Sequence, residues 1–378
     1  MLPLLTLAYK LLVTDRAKFA ALIVGLTFSV FLMVQMTSMF AGILQRASAT
    51  VLNTGAQLWV MDPAVTTVAN SIPMPDYVLD AVRSMHGVQY AVPLYSGGAL
   101  VRLQSGAYQS VTVIGLDDTT LFGRPRLIAG QIEDLYAGDA FVVVRDPEYP
   151  KLDSPGLGTT FEINDHRAVI VGIAEVPISG LFGIPTLYTT YRRAIEDIPS
   201  PRYTLSYILV EPKSAAAIPD IIAGVRALGY RALTADGFID DITAFYVYQT
   251  SLGTNILMMT VISFLVGLSI SGQTFYTFII ENLERFGALK AIGAKSRELI
   301  LIILFQSLLT SLTGYGLGVG LCALLVAIAK LRLPDYSSTI TTLNLGIALV
   351  MVLVIAAVSG YVGVRKVIRV EPFDIFRG

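Results

Sequence analysis

The sequence predicts an α+β membrane protein in which four transmembrane helices carry one large extracytoplasmic domain between the first and the second. Three observations lead there. Four runs without a charged residue, 19–44, 242–280, 299–329 and 337–364, each exceed the about 20 apolar residues that a bilayer-spanning helix needs. About 200 residues of mixed, strand-like composition separate the first run from the second. Lys and Arg gather beside alternate ends of the runs, as expected of loops retained on one side of a membrane.

Composition narrows the class. Apolar residues make up 54% of the 378-residue chain and charged residues 15%. An ordinary soluble domain is about a quarter charged, so the excess apolarity belongs to the four runs. A formal net charge of −1, without a basic stripe, gives no reason to expect nucleic acid. Cys322 stands alone inside an apolar run, so there is no disulfide framework, and it reads as a small packing residue. His86 and His166 are the two histidines. A structural zinc site takes about four ligands, so no metal and no cofactor is expected on this chain.

Taken in order, residues 1–18 begin with Leu4, Leu5, Leu7, Leu11 and Leu12 and read as an amphipathic helix lying along the inner face of the membrane. Residues 19–45 are the first span. Ala47-Ser48-Ala49 fits a signal-cleavage site, but the preceding run is longer than the roughly 7–15 residues of a signal core, so the span is read as retained. Lys10, Arg16 and Lys18 precede it. Arg285, Lys290, Lys295 and Arg297 lie between the second and third runs, and Arg365, Lys366, Arg369 and Arg377 follow the fourth. All three clusters share one side if both termini are cytoplasmic. Arg46, Lys330 and Arg332 then fall on the other side, with the large domain.

The domain, 46–241, shows short β-branched or alternating runs at 58–61, 99–103, 110–114, 141–144 and 168–173, bounded by Gly, Pro and Asp. Helical stretches are expected at 75–85 and 215–228. Each follows a strand (58–61, 205–210) and leads through a glycine, Gly87 or Gly229, into another (89–92, 230–233). Two β-α-β units around an inserted β-rich lobe at 117–200 account for this order, and so does coincidence of a common motif. The Gly/Pro clusters at 154–158 and 179–185 read as loops. The second exposes Leu181, Phe182 and Ile184 to a partner, or buries them in a hairpin.

The second run, 242–280, would reach roughly 58 Å as one helix, about twice the hydrocarbon thickness. Its Tyr- and Thr-rich start is read as a helical stalk under the domain. A cytoplasmic loop at 281–298, a third span at 299–330, an external loop at 331–338, a fourth span at 339–364 and a cytoplasmic tail at 365–378 complete the chain.

No catalytic constellation is present. Residues 287–296 come nearest to a phosphate-binding loop, but the spacing and the Gly-Lys adjacency are wrong. There is no G-x-S-x-G elbow and no H-E-x-x-H. The four runs hold no Asp, Glu, Lys, Arg or His of the kind that couples carriers to ions. Any uphill work therefore draws its energy from another subunit. A scarcity of polar lining likewise speaks against a hydrophilic pore.

Two features of the spans are candidates for contact. Gly314/Gly318 and Gly316/Gly320 form G-x-x-x-G pairs that permit close helix approach, within the chain or between two copies. Met33, Met36 and Met39 recur near the outer end of the first span, a candidate contact for haem or another lipophilic ligand, with flexible packing as the plainer use.

The loop after the second run reads Glu281-Asn282-Leu283-Glu284-Arg285-Phe286-Gly287-Ala288-Leu289-Lys290-Ala291-Ile292-Gly293-Ala294-Lys295. It resembles the E-x-x-x-E-x-G-x-L-[RK]-A-[IL]-G-A signature of the FtsX/MacB family of ABC permeases. Residues 370–377 are similar to that family's closing segment, and the four-span topology agrees. The size is closest to DevC-like and HrtB-like permeases, without a fused nucleotide-binding domain.

The resemblance implies a MacB-like periplasmic core, an inner-membrane location, and a separate ATPase, in two copies, that holds ATP and Mg. It also implies a second copy of this chain and, in some members, a periplasmic membrane-fusion protein, with membrane lipids as neighbours. Glu284, Arg285, Phe286, Gly287, Leu289, Lys290, Gly293 and Ala294 become the expected ATPase-coupling residues, on a short helix whose apolar stripe is Leu283, Phe286, Leu289 and Ile292. Three uses of such a machine stand: expulsion of a hydrophobic or amphipathic compound, release of a lipid, glycolipid or lipoprotein, and signalling to a cell-wall hydrolase.

Overall fold

A computed structural model describes residues 2–14, 16–197, 205–333 and 336–368. The expected closing segment at 370–377, with Arg369 and Arg377, lies outside them, as do the side chains of Leu4, Leu5, Phe182 and Lys366. The chain divides into two compact units. One runs to Gly42 and resumes at Leu252; the other is Ile43–Ser251.

The first unit is helical. After α1 (Leu2–Thr14), α2 (Arg16–Ala47) carries the first apolar run. Helices long and apolar enough to cross a membrane coincide with all four runs.

In the second unit α3 (Ala49–Thr54) closes on Gly55, whose φ of 70° suits a residue without Cβ. There follow β1 (Leu58–Met61), α4 (Tyr77–Arg83), β2 (Val88–Arg102), β3 (Tyr108–Leu116), β4 (Arg126–Gly130), β5 (Ala140–Val144), β6 (Thr160–Ile163), β7 (His166–Glu175), β8 (Thr186–Thr190), α5 (Tyr191–Asp197), β9 (Tyr207–Pro212), α6 (Ile218–Ala227), β10 (Arg231–Thr234) and α7 (Ala235–Ala244).

The two expected β-α-β units are present and interleave. The strand order β10-β1-β9-β2 places β9 between β1 and β2, and β1 between β9 and β10, with every neighbour antiparallel. This is the ferredoxin-like split β-α-β arrangement. Leu58 and Val60 of β1 pack with Ile208 and Val210 of β9 under Val78 and Val82 of α4 and Ile221 and Val225 of α6. The other face holds Trp59, whose ring centroid lies 5.5 Å from that of Tyr207 and 5.7 Å from that of Phe238 on α7. Covered on both faces, β1 is fully buried, which is why its sequence is a continuous apolar run and not an alternation.

The inserted lobe begins earlier than 117. β2 is 15 residues long. Its first half pairs with β9, while its second half joins β3 and β6. From there β3-β8-β5-β7-β6 returns to β2, closing a six-stranded ring. Closure leaves few edges, and burial alternates along β7 as the inside–outside pattern of a barrel requires. Val101, Val113, Phe141, Val143, Ile163, Ile170 and Leu187 fill it. Leu181 and Ile184 are half-buried beside a 3₁₀ turn, between the two readings offered for that loop.

The continuous stalk expected from residue 242 is not formed. α7 ends at Ala244, a π-helical turn spans Phe245–Gln249, and Thr250 is extended at φ −117°, ψ 156° before α8 (Ser251–Glu281). Thr234 caps α7 by accepting from Gly237 N at 3.1 Å, so the Tyr-rich stretch belongs to the domain's closing helix. The remaining elements are α9 (Leu283–Ala291), α10 (Ser296–Arg332) and α11 (Thr342–Ile368).

Trp59→Ala is expected to destabilise the large domain by about 3–5 kcal/mol, the usual loss for a buried aromatic. Chemical unfolding of the full chain, followed by near-ultraviolet circular dichroism, measures it.

Candidate functional site

The loop between α8 and α10 is built by local rules. Asn282 interrupts the helix, and its Nδ2 donates to Phe278 O at 2.8 Å while its Oδ1 accepts from Arg285 Nη1 at 2.9 Å. Phe286 N donates to Asn282 O at 3.0 Å, opening α9 as a separate helix. The end is a Schellman stop. Ala294 N reaches Leu289 O at 3.0 Å, Gly293 N reaches Lys290 O at 3.1 Å, and Gly293 sits at φ +106°. Lys295 N then donates to the Glu298 carboxylate at 2.9 Å, capping α10.

Packing separates the eight expected coupling residues. Phe286 is 2% exposed, among Ala8 and Leu12 of α1, Phe278 and Ile279 of α8, Leu299, Ile302 and Ile303 of α10, and Val367 of α11. Gly287 is buried and Leu289 half-buried on the same side. Phe286 and Gly287 are buried anchors with Leu289 half-buried beside them, and Gly293 and Ala294 serve the stop. Lys290 borders a narrow cleft with Leu299, Ile303 and Val367. Glu284, Arg285, Ala288 and Ala291 are exposed. Ile292, placed by its spacing on the inner stripe, is 86% exposed because the helix ends there and its last turn diverges from the stripe. The sequence missed two roles, the Ile292 tip and the Asn282 hinge. Asn before a helical run is the signal that could have found the second.

Near the same end, α1 does more than lie on a surface, since Gln306 Nε2 of α10 donates to Ala8 O at 2.8 Å. Lys18 of α2 pairs with Glu281 at the end of α8.

The two glycine pairs part company. A Cβ on Gly314 would lie 2.6 Å from Leu26 Cβ of α2, and one on Gly318 would lie 2.7 Å from Val30 Cβ. Gly316 and Gly320 meet nothing within 4 Å. The first pair is thus an intrachain contact. Met33 is 1% exposed and in the helix core, Met36 is half-buried, and Met39 is 41% exposed. At three-residue spacing successive side chains step about 60° around a helix, so Met33 and Met39 stand about 120° apart.

Polar groups inside the bundle are more numerous than the sequence reading allowed, and several of them bond helix to helix. Ser29 Oγ donates to Ser263 O at 2.7 Å, with Gly267 leaving the room, and Ser307 Oγ donates to Ala356 O at 2.6 Å. Ser359 Oγ donates to Ser271 Oγ at 3.0 Å. Gln35 donates to the Tyr336 hydroxyl and accepts from Cys322 Sγ at 3.4 Å. Without water in the hydrocarbon, such groups must find partners on neighbouring helices.

Gly314→Leu is expected to lower the thermal unfolding midpoint of the detergent-solubilised chain, whereas Gly316→Leu leaves it unchanged. Scanning fluorimetry of the two variants side by side checks the assignment.

Comparison with known proteins matches two domain types in order along the chain. Residues 19–228 match the MacB-like periplasmic core domain and residues 256–372 the FtsX-like permease C-terminal domain. An uncharacterized ABC transporter permease of Mycobacterium tuberculosis (strain H37Rv) is 26% identical over 366 residues, covering 94% of this chain and 93% of its own length. A hemin transport system permease, HrtB, of Staphylococcus haemolyticus is 27% identical over 157 residues, 42% of this chain and 41% of that one. The periplasmic region of MacB from Actinobacillus actinomycetemcomitans superposes on 50% of this chain and 92% of its own, with 13% identity and a TM-score of 0.37. With both domain types matched in order along its length, the chain belongs to the MacB/FtsX family of ABC transporter permeases.

Proposed function

We propose that this chain is the membrane subunit of an export or release machine driven by ATP hydrolysis on a separate ATPase. Two copies of it work with two ATPase subunits, and ATP and Mg belong to the ATPase. The observation that carries the reading is the mounting of α9. Its inner side is fixed through Phe286 to α1, α8, α10 and α11 at once, while Glu284, Arg285, Ala288, Ala291 and Ile292 face outward. A push on that outer face cannot be absorbed by bending a free loop; it displaces the ends of several membrane helices together. The interhelical hydrogen bonds make the bundle stiff enough to move as a body.

Positive charge supports the orientation. Arg16, Lys18, Arg285, Lys290, Lys295, Arg297 and Arg365 fall on the α9 side, which the positive-inside rule assigns to the cytoplasm. The large domain is then extracytoplasmic, in the inner membrane of the cell, where a membrane-fusion protein can meet it. The cargo is a hydrophobic or amphipathic compound taken from the membrane or its outer surface. The bundle interior, filled by apolar side chains and paired hydroxyls, fits mechanical expulsion better than a water-filled path. Lipid, glycolipid or lipoprotein release uses the same machine on a different cargo, and signalling to a cell-wall hydrolase uses it on a protein.

Two variants separate contact from folding. Ile292→Asp combined with Glu284→Lys is expected to abolish stimulation of the ATPase while leaving the unfolding midpoint within error of wild type. Phe286→Ala is expected to cost about 3–5 kcal/mol of stability as well as stimulation. Unchanged ATPase stimulation in the first variant, measured with both subunits reconstituted in lipid, overturns the assigned contact.

A further inference from the structure

A cleft in the large domain, beside α3, takes no part in coupling through α9. Its volume is about 560 Å³, within the roughly 300–1,000 Å³ usual for small-molecule sites. Three stretches of chain build it: Asn53 and Thr54 at the end of α3, Tyr90 near the start of β2, and the Thr120–Arg124 turn between β3 and β4. Tyr90 pairs with Glu211 across β2 and β9, on the face of the split sheet opposite the core that holds Ala91 and Val210. α3 begins two residues after α2 ends, so the cleft lies one short helix along the chain from the first apolar run.

The turn is held in shape by its own bonds. The Asp117 carboxylate accepts from Thr120 N at 2.8 Å, Thr120 Oγ1 at 2.9 Å and Thr119 N at 3.2 Å. Thr120 Oγ1 in turn accepts from Phe122 N at 3.2 Å. Leu121 is 3% exposed and sits at φ +49°, a conformation that leucine rarely adopts. Gly123, at φ +80°, lets the turn pass against α3, since a Cβ there would lie 2.6 Å from Thr54 Cγ2. On the other wall, Asn53 Nδ2 donates to Ile178 O at 2.7 Å and its Oδ1 accepts from Ile178 N at 3.2 Å. Unusual backbone held by such a network keeps the side chains around it in fixed places, and a fixed site has less freedom to lose on binding.

Two chemistries meet in this cleft. Tyr90 and Phe122, both half-buried, stand edge to face with ring centroids 5.7 Å apart, an apolar shelf. Arg124 is the one ionised side chain in the lining. It is exposed, is in no ion pair among the described residues, and its side chain makes one long hydrogen bond, Nη1 to Thr120 O at 3.4 Å. Glu211 does not line the cleft, and its carboxylate accepts from Gln57 Nε2 at 2.5 Å. Asn53 and Thr120 have spent their polar groups on the walls, which leaves the Arg124 guanidinium and the Tyr90 hydroxyl to meet a ligand.

We propose that this cleft binds an amphipathic organic acid, its flat apolar body against Tyr90 and Phe122 and its anionic group on Arg124. A guanidinium presents a planar fork of donors that matches a carboxylate or another oxyacid. A neutral molecule of the same shape forgoes that contact, and a cation is repelled by it. The class narrows the cargo of the export function proposed above and rests on that reading only in treating the bound acid as cargo, because filling the cleft requires neither α9 nor an ATPase.

The test titrates the full chain in lipid nanodiscs with 2-naphthoate and with its neutral counterpart 2-naphthalenemethanol, followed by calorimetry after subtraction of empty discs. The wild type is expected to bind 2-naphthoate saturably and more tightly than the alcohol. Arg124→Gln is expected to weaken 2-naphthoate about tenfold, the loss of a charge-assisted hydrogen bond, while leaving the alcohol and the unfolding midpoint unchanged. Phe122→Ala is expected to weaken both compounds roughly fivefold, as loss of an aromatic contact does. No saturable binding at millimolar 2-naphthoate, or equal binding of it by wild type and Arg124→Gln, overturns the proposal. Either result leaves ATPase stimulation through α9 untouched, so failure here and failure of the export reading are told apart.

Discussion

A bilayer offers no water to a backbone N–H or a hydroxyl, and that constraint organises this protein. It forces the four long apolar runs into helices, whose hydrogen bonds are internal. It also favours polar side chains on those helices that find one another. Ser29 with Ser263, Ser359 with Ser271, and Gln35 with Tyr336 and Cys322 are the outcome. Small residues set the spacing that makes such bonds reachable: Gly267 admits Ser29, and Gly314 and Gly318 admit Leu26 and Val30. The bundle is therefore held by close approach and paired polar groups more than by exclusion of water, since lipid tails are as apolar as leucine.

Where the helices leave the hydrocarbon, ordinary aqueous folding rules return. α9 is a surface helix with one aromatic anchor, an asparagine hinge at one end and a glycine stop at the other. Its short length makes it marginal alone, for isolated helices need about 12–15 residues to persist. Tertiary contact at Phe286 supplies what length does not. Through Phe286 the helix is seated on α1, α8, α10 and α11 together.

The large domain solves a different problem, that of ending a sheet safely. One half is an open split β-α-β sheet covered on both faces, and the other curls until β6 and β7 return to β2. A single 15-residue strand serves both halves, and Leu94, which pairs with Tyr207 of β9 and Leu116 of β3, marks the point where it passes from one to the other. Within this frame the buried Glu148, paired with Arg46, is an exception to the apolar interior.

Much was legible in the order of residues because the signals are local. Four charge-free runs of membrane length, the β-branched strands between Gly, Pro and Asp, the Gly-ended helices before β2 and β10, and the G-x-L-K-A-I-G-A segment each depend on neighbours a few positions apart. That suffices for the fold class, the order of elements and the family. Tertiary structure decided the rest. Which side of α9 is buried turned on where its last turn diverged, so Ile292 left the stripe and Phe286 left the contact list. The break at Thr250 ended a helix that composition alone continued. Ring closure of the lobe needs β2 and β7 to meet through β6 across some 60 residues of chain, and the Arg46 pair spans 102. Such contacts arise from chain paths through space, and no local pattern of charge or hydrophobicity encodes them.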